Sequence, residues 1–540
     1  MNIFSAIAAK IREVFRKMIP YQTIEQAERI ETPLSTDMVN ALNLWYDLYL
    51  NKAHWVDGDT IKSLNLPAFI SSEVARQVVI ELKWNITGKG SDGETEGEDG
   101  EDIMNPRAEY LKAEFEKLVR VLRLKLEQGC AAGGMLIKPY PNLEDKHIYF
   151  DWAMNWGLYP LAFDDDGNLS DVIIPDVFQE GRTTYTRLER HTVTREGVRI
   201  TQRAFKSDSK DSLGKEIELT DVDRWAALQK EALVKDPGGP LFGWYKVANA
   251  NNVEVDCPMG ASVFSKAIDV IKEADTQYSR LLWEYEGSEL AIDVDPSVLR
   301  PKRTEGGIME MPKLNKRLFR AVDADKGDRD LYEVFAPGIR DANLVNGLNQ
   351  LLIRIEDLSG LSRGTLSDAN VEARTATEIK IIKQRTYTTI NDNQAALETC
   401  LRDVIRVMDK YATIYHLAPE GEYDVSFEWD DSILTDTDLQ TQERLMLLNA
   451  GIISKAEFRE WYFGETKAQA RAGIAAVTEE QVSNIQSMNA ALPTVPGQEM
   501  PEIPDNLNKD RSEELRAPEI PHPPAPEIPR IKQPAQPGKE

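Results

Sequence analysis

Residues 376–416 read ATEIKIIKQRTYTTINDNQAALETCLRDVIRVMDKYATIYH. Ile390, Leu397, Leu401, Val404, Ile405, Met408, Tyr411, Ala412 and Tyr415 recur there at the three- and four-residue steps that place side chains on one face of a helix. No proline interrupts the run, so it predicts one helix over about 376–416, roughly 60 Å long at 1.5 Å per residue. Ordinary helices average about 12 residues. A helix this long needs partners along its length, which suggests the backbone of an assembly.

Just beyond it, Tyr423, Val425, Phe427 and Trp429 alternate with Asp424, Ser426, Glu428 and Asp430, the clearest strand pattern in the chain. Short helices are expected at about 436–450, 454–463 and 466–477. Gly451 and Gly464 suit helix ends, and Ser454 with Glu457 and Thr466 with Gln469 form capping boxes. From 493 the core signal stops. Twelve of the 28 prolines lie in 493–540, and Pro-Glu-Ile-Pro occurs three times, so this stretch is expected to be a disordered, partly polyproline-II tail.

Towards the N-terminus, Asp341 is expected to cap a helix carrying Val345, Leu348, Leu351, Leu352, Ile355 and Leu358, with Gly360 and Gly364 marking a loop after it. Pro258 suits a first helical position. Val263, Phe264, Ala267, Ile268, Ile271, Ala274, Tyr278, Leu281, Leu282 and Tyr285 then predict a helix to about 286. Between these two helices lie expected strands at Leu290–Val294 and Leu331–Phe335 and a basic stretch broken by Pro and Gly. From 133 to about 250 the period changes to two, with strands at Met135–Pro139, His147–Trp152, Val172–Phe178, Thr183–Thr192 and Val198–Phe205, and hairpin turns at Asp166-Gly167 and Glu196-Gly197. Residues 33–86 read as helical. So does the stretch holding Leu111, Phe115, Leu118, Val119, Leu122 and Leu126. Between them, 88–102 hold seven acidic residues, five glycines and one lysine, an expected solvated and disordered insert. Residues 1–18 form a basic amphipathic pattern, suited to docking on the chain's own or a neighbouring subunit, on a membrane surface or on another protein. The fold class is therefore α+β, and a length of 540 suggests about three or four domains.

Composition narrows function. A formal charge of -26 repels nucleic acid and anionic membranes, so any DNA contact must use local basic patches. Two such patches exist. Arg300, Lys302, Arg303, Lys313, Lys316, Arg317 and Arg320 face two acidic neighbours, and Arg363, Arg374, Lys380, Lys383 and Arg385 face three. Solvated faces or intersubunit ion pairs explain them as readily as contacts with phosphates or an acidic partner. Cys130, Cys257 and Cys400 are far apart and read as reduced thiols. No phosphate loop, metal-ligand spacing, cofactor motif or membrane-length apolar run is present, so metals and cofactors are expected to be absent. Asp164, Asp166 and Asn168 resemble the start of a calcium loop, but the glycine and the final acid are misplaced, so a hairpin turn is expected. Gly360-Leu361-Ser362-Arg363-Gly364 matches a nucleophile elbow, yet a helix precedes it where a strand is required, and the expectation is no enzyme.

Ala274–Asp295, Gly347–Asp368, Thr375–Ile390, Phe427–Ile433 and Glu457–Thr466, with Trp45–Asn51 and Ser63–Pro67, make the chain similar to portal proteins of tailed bacteriophages, in particular the portal group of phages of Gram-positive hosts, over roughly 30–480. The resemblance implies a ring of twelve subunits around a DNA channel. It implies an N-terminal helix at 1–29, a wing at 30–257, a stem helix at 258–286 and an α/β clip at 287–340. A second stem helix at 341–358, a tunnel loop at 359–375, a long wing helix and strand at 376–434, an α-helical crown at 435–490 and a tail at 491–540 complete it. By the same resemblance, the cations at 363–385 belong to the channel and Arg300, Lys302, Arg303, Lys313, Lys316 and Arg317 to partner binding at the clip. The implied partners are duplex DNA, the ATP-consuming terminase, the major capsid and scaffolding proteins and a head-completion connector. The implied location is the portal vertex of the virion, after assembly in host cytoplasm. Two other readings stand beside it: a soluble hydrolase with Ser362 as nucleophile, and a membrane or capsid adaptor acting through residues 1–18.

Overall fold

The computed structural model describes residues 20–89, 104–209, 212–288, 338–368, 376–429, 437–465 and 469–479, and five short strands between 291 and 335. The expected helix at 1–18, residues 90–102 of the acidic insert and the tail lie outside these residues, as does Thr466; Gly88, the first residue of the expected insert, ends a strand. Residues Met1–Arg471 form one compact unit and Ala472–Glu540 another, where length suggested three or four. Of the second unit, residues 472–479 are described, and they are helical.

The first unit begins with α1 (Tyr21–Glu28), α2 (Thr36–Tyr49) and α3 (Leu66–Val79), followed by β1 (Leu82–Gly88). The uniform helical reading of 33–86 is thus corrected: a loop separates α2 from α3, and the last residues are a strand. The Ser35 side chain accepts from the Met38 amide to start α2, whose Met38, Leu42, Trp45 and Leu48 are buried. In α4 (Pro106–Ala132), Asn105 caps the first turn, and Leu111, Phe115, Leu118, Leu122 and Leu126 are buried as expected.

Strands β2 (Gly134–Asn142) and β3 (His147–Met154) form a hairpin, and β4 (Tyr159–Phe163), β5 (Leu169–Glu180), β6 (Thr183–Thr194), β7 (Gly197–Ser207) and β8 (Lys215–Ile217) follow in antiparallel order. Short β9 (Glu231–Val234) adds to β7, and β10 (Gly243–Lys246) pairs with β2. Both expected hairpin turns are present. In the first, the Asp164 carboxylate is occupied by the amides of Asp166 and Asn168, 3.1 and 2.7 Å away, which makes it the turn anchor.

Helix α5 (Ile268–Gly287) starts ten residues later than Pro258 suggested. The intervening backbone is used otherwise. The Val263 amide donates to the Cys130 carbonyl, and Gly260 packs so closely on Gly133 that neither position has room for a Cβ. Strands β11 (Ala291–Val294), β12 (Lys302–Arg303), β13 (Met309–Glu310), β14 (Phe319–Ala321) and β15 (Tyr332–Phe335) follow. β11 runs parallel to β14 and antiparallel to β15, and β12 pairs with β13. In α6 (Asp341–Ser359), Arg340 takes the cap position without a side-chain bond. Asp341 sits in the first turn, where a carboxylate favours the helix dipole, rather than at the cap.

Helix α7 (Ala376–Ile414) has 39 residues, some 58 Å. Its expected face is buried from Ile390 to Ala412, but Tyr415 is 43% exposed because the helix has ended and His416 turns left-handed. β16 (Tyr423–Trp429) pairs antiparallel with β1 and alternates in burial as the sequence alternates. The two strands pack on α4 through Trp84, Phe115 and Phe427. Helices α8 (Thr437–Asn449) and α9 (Lys455–Phe463) complete the unit; the Ser454–Glu457 capping box is formed, and Gly464 ends α9 left-handed.

Candidate channel and partner-binding site

Helices α5 and α6 pack against each other in opposite directions. Near the end of α5, Arg340 grips the Glu284 carboxylate through Nη2 at 2.7 Å, Nε at 3.1 Å and its own amide at 3.2 Å. Those bonds hold the Glu284 carboxyl below the usual range. Further in, Gln277 donates to the Leu344 carbonyl. The other side of α5 is fixed by the loop after α2. The Asp275 carboxylate accepts from Trp55 Nε1 at 2.9 Å and the Leu64 amide at 2.8 Å, and the Lys62 amide donates to Ser279. Burial pushes the Asp275 carboxyl up, against those two bonds. Apolar groups remain uncovered on this pair: Trp283 is 67% exposed, and Tyr285, Ile339 and Val345 are also exposed.

The segment after α6 is a compact knot. Gly360 is left-handed, and its Cα lies against Thr389 of α7, leaving no room for a side chain. Ser362 Oγ is 2.6 Å from Thr386 Oγ1. Glu356, 0% exposed, accepts at Oε1 from the amides of Gly364 (3.1 Å), Leu366 (2.5 Å) and Ser367 (2.9 Å), and at Oε2 from the Ser367 hydroxyl (2.8 Å). Hydrogen bonds to a charged acceptor contribute about 1.5–3 kcal/mol each, which offsets the cost of burying the carboxylate. Asn349 Oδ1 takes the Asp368 amide.

Of the cations expected in the channel, Arg363 is exposed and paired with Asp357 at 3.0 Å. Lys380, Lys383 and Arg385 lie on the early turns of α7, and Arg374 lies outside the described residues. Of the expected clip cations, Lys302 and Arg303 lie on β12, with Lys302 in register with Glu310; Arg320, a member of the same basic patch but not of that set, lies on β14. Arg300, Lys313, Lys316 and Arg317 lie outside the described residues. Sequence reading missed Glu356, Asp275 and Arg340. Glu356 had a legible signal: Leu348, Leu352, Glu356 and Gly360 are spaced by four, so the acid continues the stripe of leucines.

The serine at the elbow-like motif has no hydrolase geometry. α6 precedes it, and its hydroxyl meets Thr386. Among the described residues the downstream histidine is His416, about 30 residues further along the line of α7, some 45 Å. Cys130, Cys257 and Cys400 are buried and free, as the sequence suggested. Among the described residues there is no cluster of acids, histidines and cysteines able to hold a metal ion, and no helix long and apolar enough to cross a membrane.

The described residues form a mixed helix-and-sheet body with an antiparallel helical pair, short strands between its two helices and a 39-residue helix after them. The family model described as phage portal protein, SPP1 Gp6-like, matches residues 85–489, about three-quarters of the chain, and the chain belongs to that family. No curated protein matches the sequence.

Proposed function

We propose that twelve copies close into a ring at one vertex of the capsid, with α5 and α6 as stem helices around a channel for duplex DNA. Family membership supports the portal role. The observation that carries the ring is the uncovered apolar set on the stem pair, Trp283, Tyr285, Ile339 and Val345, which a neighbouring subunit would bury. In this reading 1–29 is an N-terminal helix, 30–257 the wing and 258–286 the first stem helix, whose regular part begins at Ile268. The clip is 287–340, the second stem helix 341–358 and the tunnel loop 359–375. The long helix and strand of 376–434 cross the wing, 435–490 form the crown and 491–540 the tail.

Arg363, Arg374, Lys380, Lys383 and Arg385 face or flank the channel, and Arg300, Lys302, Arg303, Lys313, Lys316 and Arg317 serve docking at the clip. The terminase docks there during packaging and the head-completion connector afterwards, while the wing meets the major capsid and scaffolding proteins. Assembly takes place in the host cytoplasm, and the portal admits DNA at packaging and releases it at ejection. A chain of charge -26 repeated around a ring presents a negative wall that keeps a polyanion from adhering, while a few cations guide it. Duplex DNA repeats every ~10–10.5 base pairs, which mismatches twelvefold symmetry and spreads contacts thinly.

The test begins with light scattering and end-on electron microscopy, expected to give annular particles of about 730 kDa, twelve times the 61.0 kDa chain. Reversing Lys380 and Lys383 to glutamate should then change DNA packaging or retention and leave the ring intact. A compact single chain at every concentration, or unaltered packaging by the double variant, refutes the corresponding half.

A further inference from the structure

We propose that Glu356 is a positioning residue for DNA passage: its buried carboxylate locks residues 360–368 into one shape and joins α6 to α7, so that a duplex pressing on this loop meets a fixed surface. The inference rests on the reading of the loop as part of the channel.

A leucine would continue the apolar stripe of Leu348 and Leu352 at this position without the penalty of burying a charge. The chain instead places a carboxylate where three amides from a four-residue stretch converge on it with a hydroxyl. Converging amides of this kind form an anion-binding concavity, and here the anion belongs to the protein itself. The same stretch is tied on its other side to α7 through Ser362 with Thr386 and through Gly360 against Thr389, and back to α6 through Asp368 with Asn349. Arg363, held by Asp357, sits within this knot, so its placement follows from the fold of the knot. Without the carboxylate, the amides of 364, 366 and 367 lose their common acceptor, and the loop loses the contacts that select one conformation.

The test compares three full-length proteins as assembled particles. Glu356→Leu keeps the volume and removes the acceptor. Glu356→Gln keeps an acceptor oxygen for the amides and can donate to the Ser367 hydroxyl oxygen. Ser367→Ala removes the hydroxyl's bond to Glu356 and the bond that hydroxyl accepts from the Gly364 amide at 3.0 Å, keeps the three amide bonds to Glu356, and serves if the leucine variant does not fold. Hydrogen–deuterium exchange should accelerate about tenfold or more at the amides of Gly364, Leu366 and Ser367 in Glu356→Leu, less in Ser367→Ala and least in Glu356→Gln, with α4 unchanged. DNA packaged or retained per particle should fall in the same order while ring mass stays constant. Unchanged exchange overturns the anchoring role. Faster exchange with normal DNA content overturns the positioning role if charge reversal at Lys380 and Lys383 is effective in the same assay. If that reversal is silent as well, the channel reading of this segment fails, and the inference with it.

Discussion

Replacing Lys138 with methionine isolates a well-defined buried charge in the first unit. Lys138 Nζ lies 2.8 Å from both oxygens of Glu189, and the two side chains are 7% and 8% exposed. Methionine keeps the apolar stem and removes the ammonium, leaving the carboxylate buried. Breaking a buried pair from one side costs about 3–5 kcal/mol. Glu189 retains His191 at 2.7 Å and Arg187 at 3.1 Å, so the lower end, about 3 kcal/mol, is expected at pH 7.

The pH dependence has a definite sign. Desolvation opposes ionisation of Glu189, but Lys138, with His191 and Arg187, outweighs it and holds the carboxyl well below its ordinary range. A depressed carboxyl contributes stability above its unfolded pKa, about 4.3, and loses it as pH falls through the folded value. The variant therefore differs most from the parent at neutral pH; the difference begins to shrink below about pH 4.3 and vanishes only as the pH falls through the depressed folded value. Urea titration followed by tryptophan fluorescence reads this, since Trp152 pairs with Ile137 next to the site. A loss below about 1 kcal/mol at pH 7, or an equal loss in a Glu189→Gln background, refutes the reasoning.

Two further outcomes follow from close packing. Gly133→Ala should destabilise the protein by about 2–3 kcal/mol or more, because the position is left-handed at φ +78° and a Cβ there collides with the Gly260 carbonyl; a midpoint equal to the parent's in urea contradicts it. Burial pushes the Cys130 thiol up to about 12, despite a hydrogen bond with Tyr245 that lowers it, and burial likewise raises Cys257 and Cys400. A soluble alkylating reagent at pH 8 should therefore modify no thiol in the native protein and all three after denaturation, as read by intact mass; rapid native labelling would show that a thiol is accessible.

Local pattern was enough wherever the physics is local. The buried face of α7, the alternation of β16, the Ser454–Glu457 box and the hairpin at Asp166-Gly167 depend on side chains within a few residues of each other, and all were legible. The portal family was legible too, from long runs and not from any single site. The candidate site was legible as charge alone: two basic stretches in an acidic chain, with nothing to say that Arg363 would be engaged by Asp357.

β1 was hidden because the strand that pairs with it, β16, lies about 340 residues away, and only that partner supplies its hydrogen bonds. The start of α5 was misplaced because Gly260 and Val263 are claimed by the backbone of Gly133 and Cys130, contacts that no helical period records. Glu356 looked like an ordinary helix acid until the chain turned back and brought three amides to it. The sequence by itself determined the helical and extended periods, the caps, the net charge and the family, because each is written in neighbouring residues. Tertiary structure alone decided which carboxylates are buried, which loops are tied and which backbones touch, because those energies arise between groups that meet only when the chain has folded.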